Sequence, residues 1–315
     1  MQVLHDTDRL PQRSTVATIG MFDGVHRGHL TLISEVRRVA AERGLRPAVI
    51  TFAQHPQAVL HPESDLRMLM TVEDKVAEIG RHGIDVTVLM NFTRELSLNT
   101  SLQFLRLLRD RYGVAALVVG YDHRFGHDKS ETFADYVRHG RDLGIEVIKA
   151  PEYLGEYAPV SSSIIRRLIA SGKVDDAMHC MSRPYALSGR VVHGFHNGSG
   201  IGFPTANVGD IPPYLILPHN GAYAVMVKVD GVWHQGMVNV GVRPTLENGP
   251  QLSVEVNIFD FDGDIYGKPI TLHFIKFLRL EFKLGGIDQL RAQLTHDRAT
   301  SRQILQSYLT RTTLT

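Results

Sequence analysis

Cysteine is almost absent. Cys180 is the single one in 315 residues, so the chain can build neither a disulfide framework nor a four-thiolate zinc site. Tryptophan is equally scarce, with Trp233 alone. Neither sign of charge prevails: 34 Lys and Arg against 33 Asp and Glu leave +1, which offers no bulk basic field to nucleic acid or an anionic membrane. No apolar run reaches the about 18 residues that a membrane span needs. The N-terminal stretch before Ser14 lacks the apolar core of a signal peptide. What is present is ordinary globular material, 43% hydrophobic and 21% charged, able to bury a sizeable core. At about 150 residues per domain the length predicts two domains or one large barrel. A cytoplasmic protein with neither nucleic-acid nor membrane partners is expected.

The first half alternates short apolar runs with amphipathic stretches. Strands are predicted at 14–20, 46–52, 86–90, 114–120 and 145–149. Helices are predicted at 29–43, 72–82, 102–112 and 131–143. Strands of this length separated by helices of ten or more residues imply parallel pairing through crossover helices, a doubly wound α/β domain. A loop is expected at 151–159. Near residue 182 the pattern changes to short β-like runs at 187–192, 222–229, 232–240, 252–258 and 270–277, followed by a helical tail at 286–310. Asp230-Gly231 reads as a tight hairpin turn. Regular short strands with such turns predict an antiparallel barrel. The expected boundaries are therefore 1–182 and 183–315, with Tyr223 and Trp233 in the barrel core.

The first strand runs directly into Gly20-Met21-Phe22-Asp23-Gly24-Val25-His26-Arg27-Gly28-His29. A glycine-rich turn entering a helix lets backbone amides approach an anion, and the helix N-terminus adds partial positive charge. His26 and His29 are three apart, so both rings can face a phosphate there. Neither P-loop nor GxGxxG spacing occurs at this turn, which argues against a P-loop kinase and a standard dinucleotide site. Half a metal site and a solvated helix start are the competing readings.

These residues resemble the signature of HxGH nucleotidyltransferases, in the form found in bacterial bifunctional riboflavin kinase/FAD synthetases. Thr51-Phe52 with His55-Pro56, the run from Gly120 through Asp122, Arg124 and Phe125 to Gly126, and the run from Val160 through Ser162 to Arg166 resemble further segments of that family. The resemblance implies ATP binding by Gly20, Phe22, Asp23, Gly24, Gly28, Ser162 and Arg166. It implies flavin binding by Phe52, His55, Pro56, Asp122, Arg124 and Phe125. His26 and His29 would contact the transferring phosphates, because adenylyl transfer needs in-line positioning and charge neutralisation rather than a covalent intermediate. Ala53, Gln54, His123 and Ser199 depart from the family's usual residues.

In the second half, Gly200-Ile201-Gly202-Phe203-Pro204-Thr205-Ala206-Asn207 resembles the GFPTAN signature of riboflavin kinases. Asn239 to Thr245, Ser253 to Asn257, Asp260 to Gly267 and Phe277 to Lys283 resemble further segments in the same order. Gly200, Gly202, Pro204, Thr205 and Asn207 would bind ATP. Thr205 and Asn207, two apart on an extended segment, would join a Mg²⁺ ion held mainly by ATP phosphates. Glu255 would be the base that takes a proton from riboflavin's 5′-hydroxyl. Arg279 and Glu281 are candidate flavin contacts, with a surface ion pair as the alternative. The implied substrates are ATP, riboflavin and FMN, with FMN and FAD as products rather than redox cofactors. A nucleotidyltransferase for another phosphomonoester, or a non-catalytic flavin-binding module, would share parts of these motifs.

Overall fold

The computed structural model describes residues 1–121, 123–128, 130–193, 202–245, 249–281 and 286–313, and not the side chains of 242–245, 249–252 and 312–313. Asp122 and Gly200 therefore lie outside the described residues. The chain divides into two compact units, 1–66 with 71–161 and 67–70 with 162–315. The helices α7 (Ser162–Ala170) and α8 (Val174–Met181) thus fall in the second unit.

In the first unit, six parallel strands are β1 (Gln2–Leu4), β2 (Thr15–Ile19), β3 (Arg46–Phe52), β4 (Val86–Met90), β5 (Val114–Val119) and β6 (Glu146–Lys149). Their order is β1-β4-β3-β2-β5-β6. The near-continuous apolar composition of β2 and β5 suits strands covered on both faces, and all residues of both are buried. The helices α1 (Arg27–Arg43), α3 (Val72–Arg81), α5 (Ser101–Tyr112) and α6 (Phe133–Leu143) connect them. Glycines in left-handed conformation, Gly44, Gly113 and Gly144, end α1, α5 and α6. The doubly wound prediction holds. The short edge strand β1 was not foreseen, because three residues carry no readable periodicity.

Chain order reverses at β2, which is flanked by β3 on one side and β5 on the other. In open α/β sheets ligands bind at such a switch point, outside the carboxyl ends of the strands. The loop at 20–26 and the turn at 120–121 both leave the sheet there.

The second unit contains a closed antiparallel barrel in the order β10-β11-β8-β7-β12-β9. Its strands are β7 (Tyr185–Val192), β8 (Ala206–Gly209), β9 (Gly221–Val229), β10 (Val232–Thr245), β11 (Gly249–Ile258) and β12 (Pro269–Arg279). Asp230 and Gly231 both have positive φ, the mirror-image turn that matches the twist of a two-residue hairpin. The long helix α9 (Ile287–Thr313) packs Leu305, Leu294 and Ile304 against a cluster that includes Phe203, Met226, Met237 and Phe259. Tyr223 is fully buried as expected. Trp233 is not: it is 42% exposed, because it sits at the outward position of β10 opposite Lys228, packed on His273.

Candidate active sites

The first site grows from the exit of β2. Phe22, Gly24 and Val25 all have positive φ, and for the β-branched Val25 this costs about 1–3 kcal/mol. The fold spends that strain to turn His26 into the N-cap of α1. His26 Nδ1 accepts the backbone N–H of His29 at 3.4 Å, and His29 Nδ1 accepts the backbone N–H of His26 at 3.3 Å. This is a capping box made of two imidazoles, and their rings stack at 3.6 Å. Because each Nδ1 is an acceptor, a neutral ring carries its proton on Nε2. Both Nε2–H groups then point away from the cap as donors. The spacing that predicted a shared direction is correct, and the reason is the cap itself. Gly28 lies beneath this pair, since a Cβ there would come within 3.3 Å of His26 Cε1 and Nδ1. Phe22 tilts against His29 at 4.8 Å between ring centres.

The floor of the site contains a group that the sequence reading missed. Lys75, from α3, is 2% exposed. Its Nζ donates to the carbonyl of Phe52 at 2.7 Å and to that of Met21 at 3.2 Å. Burial lowers its proton affinity to about 8, against a partial opposing pull from the buried Asp23 carboxylate. Lys75 thereby staples the loop after β2 to the end of β3, and Thr51 Oγ1 adds a bond to Met21 O at 3.0 Å.

The remaining predicted residues of this site take different places. Phe52 ends β3 and packs edge-on to Phe92 at 5.4 Å. His55 caps the short helix α2 (Pro56–Leu60), its Nδ1 accepting from Gln57 N at 3.1 Å, with Pro56 in the first turn. Arg124 follows β5 in the switch-point loop. Phe125 belongs to the core, stacked on Tyr136 at 4.2 Å and near Phe104 at 5.9 Å. Ser162 and Arg166 share one face of α7 in the second unit. Val160, two residues ahead of Ser162, is in the first unit, and its carbonyl oxygen lies 3.8 Å from where a Gly28 Cβ would stand.

The second site is a cross-strand row on the barrel. Glu255 on β11 stands opposite Asn207 on β8 and opposite Asn239 on β10. Asn239 is in turn opposite Ala222 on β9, which is opposite Arg279 on β12. Residues directly opposite on an antiparallel pair share a face, with Cβ atoms about 4.5–5.5 Å apart. Asn239 Nδ2 donates to Glu281 Oε1 at 2.5 Å, which draws Glu281 over the row. Gly241 makes room for it, because a Cβ at that position would lie 2.5 Å from Glu281 Oε1. Arg279 instead turns to α9, where its Nε and Nη2 meet Asp297 Oδ2 at 2.9 and 2.8 Å. Asn239 lies in the 239–245 segment, but the sequence does not mark it as a site residue, because its place beside Glu255 depends on strand register.

Alternation puts Val256 and Ala206 on the opposite face of the same two strands. There they line a cavity of about 190 Å³ with Pro204, Thr205, Phe261, Asp262, Asp264 and Tyr266. Thr205 thus belongs to the cavity, whereas Glu255 and Asn207 do not line it. The polar side chains near Thr205 are oxygen donors, a set that suits a hard cation such as Mg²⁺ and not a soft one. Among the described residues no group of three His, Cys, Asp or Glu side chains is placed to hold a metal.

Comparison with known proteins finds a separate family along each half of the chain. Residues 8–164 match the FAD synthetase family and residues 181–305 the riboflavin kinase family. The bifunctional riboflavin kinase/FMN adenylyltransferase of Listeria monocytogenes is 34% identical, covering 94% of each chain. That of Bacillus subtilis is 35% identical over 93% of each. That of Escherichia coli K12 is 32% identical over 95% of this chain and 96% of its own. A crystal structure from Streptococcus pneumoniae described as a macrolide-efflux protein superposes with a TM-score of 0.87 at 28% identity, covering 96% of this chain and 99% of that one. Among the described residues here, no helix is long and apolar enough to cross a membrane. Two family matches in tandem and full-length relatives under one name show that the chain belongs to the bifunctional riboflavin kinase/FMN adenylyltransferase family.

Proposed function

We propose that the two reactions of this family run at the two sites described, adenylyl transfer at the imidazole cap of α1 and phosphoryl transfer at the Glu255 row. The enzyme phosphorylates riboflavin to FMN with ATP and adenylylates FMN to FAD. The observation that carries the assignment is the pairing of Glu255 with Asn207 on one face, one residue from the Thr205 cavity.

In the kinase step, the 5′-hydroxyl oxygen of riboflavin attacks the γ-phosphorus of ATP. Its proton passes to Glu255, the bond from that phosphorus to the β-phosphate oxygen breaks, and ADP leaves. Thr205 at the cavity and Asn207 beside Glu255, on either side of the start of β8, are the residues that would hold Mg²⁺ next to the ATP phosphates. When bound, the ion would neutralise charge on the transferring group. The cavity bearing Thr205, with its apolar wall of Phe261, Tyr266 and Val256, suits the adenosine portion. Gly202 and Pro204 shape the approach, together with Gly200. Glu281, held over the row by Asn239, faces the flavin side, and Arg279 closes that side through α9.

In the adenylyl step, a phosphate oxygen of FMN attacks the α-phosphorus of ATP and pyrophosphate leaves. No general base is required, because FMN phosphate is already ionised. The two Nε2–H donors of His26 and His29 and the α1 dipole stabilise the charge that builds there. Gly20, Phe22, Asp23, Gly24 and Gly28 shape the nucleotide cradle. Phe52, His55, Pro56, Asp122 and Arg124 bound the flavin side, and Phe125 supports that loop from the core. Ser162 and Arg166 would grip the β- and γ-phosphates. We accordingly assign adenylylation to 1–182 and phosphorylation to 183–315, in a cytoplasmic enzyme fed by ATP. Riboflavin incubated with MgATP and the purified chain should yield FMN first and FAD later by chromatography. Formation of neither overturns the reading.

A further inference from the structure

We infer that Asn257 and Arg298 are positioning residues for phosphoryl transfer, tying the strand that carries Glu255 to the loop that carries Thr205. The inference rests on the roles given to those two residues above. Asn257 lies two residues beyond Glu255 on β11, hence on the same face, and is 2% exposed. Its Nδ2 donates to the carbonyl of Pro204 at 2.6 Å, one peptide from Thr205. Its Oδ1 accepts from Arg298 Nη2 at 3.4 Å. A carbonyl on one side and a guanidinium on the other define which way the amide points.

Arg298 comes from α9. Its guanidinium carbon lies 4.2 Å from the ring centre of Phe203 and 5.8 Å from that of Phe259. Its Nε is buried with no hydrogen bond, as expected of a planar cation laid on aromatic faces. The helix cannot slide at this point. On one side Asp297, 3% exposed, holds Arg279 and accepts from Gln293 Nε2 at 2.8 Å. On the other, Arg302 pairs with Asp260 at 2.8 Å, and Leu305 is fully buried. Arg298 therefore presses Phe203 from a rigid arm, while Asn257 holds the next carbonyl. Together they immobilise the two residues that precede Thr205. Neither needs to touch substrate for a shift in either to move Thr205 relative to Glu255.

The test uses the full-length chain carrying Asn257→Leu, Arg298→Met or Arg298→Lys. Riboflavin phosphorylation is measured across free Mg²⁺ concentrations, and adenylylation of supplied FMN serves as the internal control. A misplaced positioning contact should lower kinase kcat by about 10–100-fold in Asn257→Leu and Arg298→Met. It should raise the half-saturating Mg²⁺ concentration several-fold, on the order of 3 or more. The riboflavin KM and the adenylylation rate should stay near wild type. Arg298→Lys keeps the charge without the planar stack and should fall between. Kinase kcat and Mg²⁺ dependence within about twofold of wild type in all three variants would overturn the inference. So would a kcat loss that tracks a lower unfolding temperature with the Mg²⁺ dependence unmoved. If Asn257→Leu does not fold, the two Arg298 variants decide. A wild-type chain that makes FAD from FMN but no FMN from riboflavin would instead overturn the assignment of the Glu255 row.

Discussion

Lys75 gives a prediction whose size follows from its surroundings. The group is 2% exposed, and burial lowers its proton affinity from the ordinary 10.5 to about 8. At about 1.4 kcal/mol per tenfold change, that drop is worth about 3 kcal/mol. The sign follows from which state binds the proton. Between pH 8 and 10.5 the unfolded chain keeps the Lys75 proton while the folded chain has released it, so stability rises with pH. Below pH 8 both states are protonated and this group contributes no slope. Wild type should therefore gain about 2 kcal/mol from Lys75 by pH 9.5, and Lys75→Met should lack that gain. At pH 7 the variant should be less stable by about 1–3 kcal/mol, because the carbonyls of Met21 and Phe52 lose a buried donor. Urea unfolding followed by far-UV circular dichroism reports both units together. Fluorescence of Trp233, the single tryptophan, marks the second unit separately. Parallel pH curves for wild type and Lys75→Met would refute the reasoning. FAD formation by the variant should also fall, as the loop after β2 loosens.

Other outcomes are expected. Glu255→Gln should lower riboflavin phosphorylation by at least about 10²-fold and leave adenylylation of supplied FMN intact; near-normal kinase turnover would remove Glu255 from the role of base. His29→Ala should abolish FAD formation from FMN and spare FMN formation, read by quantifying both flavins over time; loss of both would mean the sites are not independent. Gly28→Ala should push the His26 ring by a few tenths of an ångström and slow adenylylation about tenfold. Its unfolding midpoint should stay near wild type, because alanine is up to about 1 kcal/mol better than glycine inside a helix; an unchanged adenylylation rate would show that the cap tolerates a side chain there.

Except for the short β1 and β8, the strands of both units were legible because buried parallel strands and hairpin-linked barrel strands leave distinct apolar patterns. The His26 and His29 pair was legible as a spacing. Its reciprocal cap was not, since imidazole is an uncommon N-cap and the pattern shows no preference for it. Phe125 sits within a motif read as flavin-binding, yet its ring is stacked on Tyr136 and supports the loop from below. An aromatic in a loop motif does not disclose which way it faces. Lys75 follows two acidic residues at the start of α3 and reads as a solvated helix face; only the fold reveals that the carbonyls of Met21 and Phe52 receive it. Asn257 and Arg298 are 41 residues apart in sequence, and their contact exists only once the barrel has closed and α9 has docked.

The stitch of residues 67–70 into the second unit has a practical meaning. Met68 gives its amide to Tyr214 O at 2.7 Å and takes that of Ile216 at 2.9 Å, and Arg67 reaches the carbonyl of Pro213. Neither compact unit is therefore a contiguous stretch of polypeptide. A fragment of the second unit cut to begin at Ser162 would surrender a ready-made edge partner and leave the main chain around Leu215 bare. Splitting this enzyme into stand-alone activities would mean supplying that four-residue clasp in trans or redesigning the edge it covers.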